Sequence, residues 1–181
     1  VGRGGGGFLF FLPGLRRPAC HVPSSSRVRV RTAEAIVNAT GFLSAPEADM
    51  RAVHQLAPAA LLAALPTTAR GVLISAVGIE AETPFAKWRR VGVQTLRDAP
   101  QTTTALRAGL VLGDGSYGGS SLARALAATP QILPVIGSGD QAMNPIHADD
   151  LAAAVLALLG TGTPPEMAEI GGAETLFQPV Y

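Results

Sequence analysis

The chain has 181 residues, of which 48% are hydrophobic and 15% charged, and its formal net charge is +1. A chain of this length fits one domain able to bury roughly 70% of the surface its unfolded form exposes, so a single core is expected. The near-neutral charge excludes an electrostatic footprint for nucleic acid and an acidic tail, which leaves a small molecule or another protein as the expected partner.

The one cysteine, Cys20, cannot close a disulfide within the chain, and no Cys/His cluster has metal-ligand spacing, so a reducing cytoplasm is the expected setting. The apolar run Phe8 to Leu12 is too short to span a bilayer. Arg16 and Arg17 follow it where a secretory signal would carry small residues and a cleavage site.

Residues 1–33 are expected to be an irregular segment. They hold four consecutive glycines, Pro13, Pro18 and Pro23, the run Ser24 to Ser26, and then the alternating Arg27, Arg29 and Arg31. None of this is a helix signal. Residues 34–181 are expected to form one α/β domain, because short apolar runs alternate there with helix-length amphipathic stretches, the pattern of βαβ units and a parallel sheet.

Within it the pattern predicts a strand over Ala35 to Ala39, closed by Thr40-Gly41, and a helix from about Glu47 to Leu65 with a kink at Pro58. A strand over Gly71 to Ala76 follows, then a helix from Pro84, acceptable in a first turn, to Arg97. A strand over Thr103 to Leu110, a glycine-rich loop and a helix over Ser120 to Ala128 come next. Ile132 to Ile136 reads as a strand and Asn144 to His147 as a short extended piece. Asp149 and Asp150 place negative charge at the start of a helix over Leu151 to Leu159. A last strand, Met167 to Ile170, stops at Gly171-Gly172.

Two features at strand ends carry candidate chemistry. Asn38-Ala39-Thr40-Gly41 closes the first clear strand with small residues that let a ligand approach the backbone, or else forms an ordinary turn. Ser75, near the end of the next strand, is either a hydroxyl aimed at the same crevice or a turn former.

Four stretches taken together resemble a known family: Val72-Leu-Ile-Ser-Ala-Val-Gly78, Thr83-Pro-Phe-Ala-Lys-Trp-Arg-Arg-Val-Gly92, Leu106-Arg-Ala-Gly-Leu-Val-Leu-Gly113 and Asn144-Pro-Ile-His-Ala-Asp-Asp-Leu151. They are similar in order and spacing to the extended and atypical short-chain dehydrogenase/reductase superfamily, in its NAD-dependent epimerase/dehydratase-like branch related to the NADH-dehydrogenase accessory subunit. The likeness covers about residues 34–176. It implies an incomplete Rossmann-type doubly wound parallel sheet flanked by helices, truncated at its N-terminal side, with NAD or NADP as cofactor.

The resemblance also implies roles. Asn38, Ala39, Thr40 and Gly41 match the segment that closes over the cofactor's adenine ribose after the fourth strand, and Ser75 matches the serine of the catalytic set. The tyrosine and lysine of that set fall at Phe85 and Arg89. A phenylalanine has no proton to transfer, whereas Arg89 keeps a positive charge in a planar fork. Lys87 lies near in sequence but on another helix face. Arg107-Ala108 stands where the family carries arginine-proline beside the nicotinamide, and with Leu110 completes the cofactor-binding candidates. His147, Asp149 and Asp150 match the turn into the penultimate helix, where a capping role is expected of His147. Tyr117, in the loop from Gly113 to Gly119, is a candidate stand-in acid.

Gly2-Arg3-Gly4-Gly5-Gly6-Gly7 satisfies a Gly-x-Gly-x-x-Gly pattern, but no strand pattern precedes it, as a phosphate-binding turn requires. Between Val22 and Glu34 there is no room for the second and third strands of a complete fold. Weak or absent dinucleotide binding is therefore expected. Three functions stay open: an NAD(P)-dependent epimerase, dehydratase or oxidoreductase with an impaired catalytic set; a non-catalytic Rossmann-like binding or protein-interaction module; and an inactive fragment.

Overall fold

A computed structural model describes residues 8–10, 33–114, 119–128 and 138–177. In chain order the elements are β1 (Phe8–Phe10), β2 (Ala35–Asn38), α1 (Glu47–Arg51), a π-helical turn (Ala52–Leu56), α2 (Ala57–Ala64), β3 (Arg70–Ala76), α3 (Pro84–Arg97), β4 (Thr102–Ala108), β5 (Val111–Leu112), α4 (Gly119–Ala127), β6 (Ile146–His147), α5 (Ala148–Gly160) and β7 (Met167–Ile170).

Five strands form one sheet in the order β1-β2-β3-β4-β7, every neighbouring pair parallel. The expected adjacency of the strands near 35–39, 71–76 and 103–110 is met. Within the irregular first segment, Phe8–Phe10 pairs with Ala35–Val37 at the sheet edge. The strand expected over Ile132 to Ile136, Tyr117, Cys20 and the glycines before Phe8 lie outside the described residues.

The sheet is covered on both faces, because successive strand residues point to opposite sides. Ile36, Leu73 and Ala105 pack against Leu62 of α2 and Val93 and Leu96 of α3. On the other face Val72 and Leu106 pack against Val155 of α5, with Leu151, Ala154 and Leu158 beside it.

Two elements differ from the expected ones, the first for a local reason. The helix starting at Glu47 widens into a π turn over Ala52–Leu56, one turn earlier than the kink expected at Pro58. Pro58 has no N–H and its ring crowds the carbonyl four residues back, that of His54, so the widened turn absorbs the conflict and the helix continues. The His54 carbonyl then lies against α3, where a Cβ on Gly92 would stand 3.2 Å from it. The strand expected to run to Leu110 stops at Ala108, and the chain leaves the main sheet. Val111–Leu112 pairs instead with Ile146–His147 in a separate parallel ladder.

Candidate functional site

The strand register places a polar row at the carboxyl edge of the sheet. Leu73 pairs with Ala105 and Ala105 with Met167; two residues on, Ser75 pairs with Arg107 and Arg107 with Glu169. The period of two puts Ser75, Arg107 and Glu169 on the face that α3 covers, just beyond its apolar core.

Above this row, α3 starts at Thr83, whose Oγ1 accepts from the Ala86 amide at 3.1 Å, with Pro84 in the first turn. This cap fixes the helix phase. It places Phe85 and Arg89 four residues apart on one side, with the Arg89 guanidinium 5.2 Å from the Phe85 ring centre. Arg89 Nη1 donates to the Ile74 carbonyl at 3.0 Å. Its Nη2 occupies the space that a side chain at Gly41 would need, since a Cβ there would fall 2.5 Å from it. A side chain at Gly41 would therefore have to displace the Arg89 guanidinium. Lys87 is exposed, 4.0 Å from Glu47 and 5.6 Å from the centre of the Trp88 ring.

The Asn38 side chain closes β2 locally, its Oδ1 accepting from the Thr40 amide at 3.0 Å and from Thr40 Oγ1 at 2.6 Å. This turn carries Gly41 and Phe42 over the π turn, where the Phe42 amide donates to His54 Nε2 at 3.4 Å. His54 is 4% exposed, and its pKa is pushed down to about 4, first by burial and then by the positive charge of Arg89. It is neutral at physiological pH, with the Nε2 lone pair taken by Phe42. Burial also pulls the Arg89 pKa down from its usual value. Ser75 is 4% exposed, and Ser75 Oγ and Arg89 Nε have no hydrogen-bond partner among the described residues.

Arg107 faces elsewhere. Its Nη1 donates to Glu169 at 2.6 Å and its Nη2 to Glu80, from the loop between β3 and α3. The Glu80 bond holds Arg107 more firmly protonated than usual against the cost of burial, and the Glu169 bond adds to it. The same Arg107 bond holds the Glu80 carboxyl below its ordinary range. Arg107 is therefore engaged by two carboxylates, and Leu110 lines a cavity on that side. His147 is the N-cap of α5, its Nδ1 accepting from the Asp149 amide at 3.3 Å, with Asp149 and Asp150 in the first turn as the dipole favours.

The structure thus brings Gly41, Phe85 and Arg89 together near the ends of β2 and β3, while Arg107, next to Ser75 in the strand register, turns its guanidinium to Glu80 and Glu169. His54, Glu80 and Glu169 were not singled out from the sequence. Nothing local marks them, since their places depend on helix phase, loop path and strand register. Among the described residues no group of three or more His, Cys, Asp or Glu side chains is placed to hold a metal ion. No described helix is long and apolar enough to cross a membrane.

No protein-family model matches the chain, and no curated protein matches it in sequence. Solved structures share its fold. An NAD-dependent NDP-hexosamine 5,6-dehydratase, TunA, involved in tunicamycin biosynthesis, superposes with a TM-score of 0.66 at 17% identity, over 83% of this chain and 59% of its own. UDP-glucuronic acid 4-epimerase from Bacillus cereus, in complex with UDP-glucuronic acid and NAD, gives 0.64 at 16% identity, over 81% and 56%. The dTDP-glucose 4,6-dehydratase from Bacillus anthracis, in complex with NAD, gives 0.65 at 15%, over 85% and 56%. The chain spans between 56% and 59% of the length of these three proteins. At such identities the likeness establishes the fold: a parallel α/β sheet of the Rossmann type, shared with NAD-dependent epimerases and dehydratases and with a short-chain dehydrogenase/reductase superfamily protein from Agrobacterium tumefaciens.

Proposed function

We propose that the chain is a short-chain dehydrogenase/reductase-type domain of the epimerase/dehydratase branch, with a weak dinucleotide site at the ends of β2 and β3 and no competence for hydride transfer. One observation carries this reading. On the helix that Thr83 caps, Arg89 lies over the Phe85 ring and donates to the Ile74 carbonyl next to Ser75, and the resemblance calls for a tyrosine and a lysine at Phe85 and Arg89. Neighbours of the same fold are complexes with NAD and sugar nucleotides, which supports a dinucleotide as the ligand class.

The residues at hand fit the nicotinamide-ribose end of such a ligand in part. Ser75 Oγ and Arg89 Nε are polar atoms left without partners there, and Asn38 to Gly41 form a turn that the resemblance assigns to the adenine ribose. When bound, a nicotinamide cofactor supplies a hydride acceptor. Phe85 offers no group to move the accompanying proton. His54 does not replace it, because its Nε2 is taken by the Phe42 amide and it is buried beside a cation. The one cysteine, Cys20, fits a reducing compartment.

The test is turnover. With NAD or NADP and UDP-glucuronic acid or UDP-glucose, the native chain should show neither epimerised product nor reduced cofactor. Phe85→Tyr combined with Arg89→Lys should gain a trace of activity. Robust turnover by the unmodified chain would show that another group supplies the acid.

A further inference from the structure

A second feature lies beyond the ends of β3, β4 and β7. A cavity of about 490 Å³ opens there, within the range of about 300–1,000 Å³ that holds small molecules. Val77, Leu110, Met143 and Ile170 give it apolar walls, and the remainder is backbone around Asn144 and three glycines. Those glycines are dictated by packing. A Cβ on Gly109 would stand 2.8 Å from the Asn144 carbonyl oxygen, one on Gly171 2.8 Å from the Asn144 Cβ, and one on Gly172 2.0 Å from the Pro145 carbonyl oxygen.

This cradle spends its donors on itself. The Gly109 amide donates to Ile170 at 3.1 Å, Gly172 to Asn144 at 3.2 Å, Val77 to Ala108 at 3.1 Å and Met143 to Leu176 at 2.9 Å. Asn144 Nδ2 donates to the Glu174 carbonyl at 3.2 Å and to Thr175 Oγ1 at 2.9 Å. A phosphate or carboxylate entering the cavity would find these donors engaged. Glu169 is the charged side chain among the described lining residues. Arg107 holds one oxygen of Glu169 and is shared with Glu80, on which Arg90 also acts, so the other Glu169 oxygen has no hydrogen-bond partner among the described residues.

We propose that this cavity takes a ligand with an apolar body and a protonated amine, the ammonium resting on the Glu169 carboxylate oxygen that Arg107 does not hold. Cation recognition follows from the free oxygen of the Glu169 carboxylate, weaker anion binding from that negative charge and from the donors already engaged, and the apolar body from the walls. The site differs from the dinucleotide reading in ligand class and does not rest on it; it adjoins that crevice through Val77, which directly follows β3, and through Leu110.

The experiment is a titration of the native chain, without dinucleotide, by 2-phenylethylamine, 3-phenylpropionate and 2-phenylethanol, followed through the backbone amide resonances. The amine should bind at least about tenfold more tightly than the carboxylate and move the amides of Gly109, Gly171 and Gly172. Glu169→Gln should bring the amine to the level of the alcohol. The proposal falls if the carboxylate binds as tightly as the amine, if Glu169→Gln leaves the amine unchanged, or if none of the three binds. A chain that binds the amine as described and also turns over a sugar nucleotide with NAD keeps this proposal and loses the other.

Discussion

Lowering the pH from about 7 to about 5 should cost the folded chain about 2 kcal/mol through His54. Its pKa falls from an ordinary 6.5 to about 4, because the ring is buried and lies beside the Arg89 guanidinium. The sign follows from proton counts. Between those two values the unfolded chain takes up a proton that the folded chain refuses, so stability is complete above 6.5 and is lost as the pH falls towards 4. Glu80, whose pKa is depressed by Arg107, contributes its loss lower, below its ordinary carboxyl range, so the window above about pH 5 belongs to the histidine. Urea unfolding followed by circular dichroism at several pH values reads the loss directly. His54→Gln, which keeps an acceptor for the Phe42 amide, should flatten the slope. A parent chain equally stable across the window, or a variant with the same slope, would refute the assignment.

Two further substitutions test the packing around the crevice. Gly41→Ala should cost about 1–2 kcal/mol, because its Cβ displaces the Arg89 guanidinium from the Ile74 carbonyl. In an Arg89→Ala background the same change should cost clearly less, and additive losses in urea unfolding would contradict the contact. Gly172→Ala should cost about 3 kcal/mol, since its Cβ meets the rigid Pro145 backbone at 2.0 Å. A thermal midpoint unchanged in that variant would show that the Asn144-Pro145 segment does not pack as described.

Most of the fold was legible where a local signal and a tertiary one coincide. The helix Pro84–Arg97 and the strand Met167–Ile170 end where the residues indicate, at Thr83-Pro84 and at Gly171-Gly172. The break of β4 at Ala108 was not legible, because it depends on Gly109 meeting Asn144, a contact between distant parts of the chain. Phe8–Phe10 was read only as an apolar run; three residues carry no period, and pairing with β2 alone makes them a strand. The candidate site divides in the same way. Phe85 and Arg89 are reached through the family resemblance, and Ser75 also from its place at a strand end. The pairing of Arg107 with Glu80 and Glu169 depends on strand register and on a loop, and the burial of His54 on the phase of a π turn and its packing against α3.

The central claim is a dinucleotide fold whose phosphate site is degraded. The glycine run Gly4 to Gly7 precedes β1, whereas a pyrophosphate turn must follow its strand, and the residues after Phe10 are Phe11-Leu12-Pro13-Gly14. Charge-assisted hydrogen bonds contribute about 1.5–3 kcal/mol each, so losing two or three of them weakens a micromolar site to millimolar or worse. Calorimetric titration of the native chain with NAD and with NADP is the most direct measurement. The account predicts dissociation constants weaker than about 1 mM for both, and a value below about 10 μM for either, worth about 6.8 kcal/mol, would contradict it.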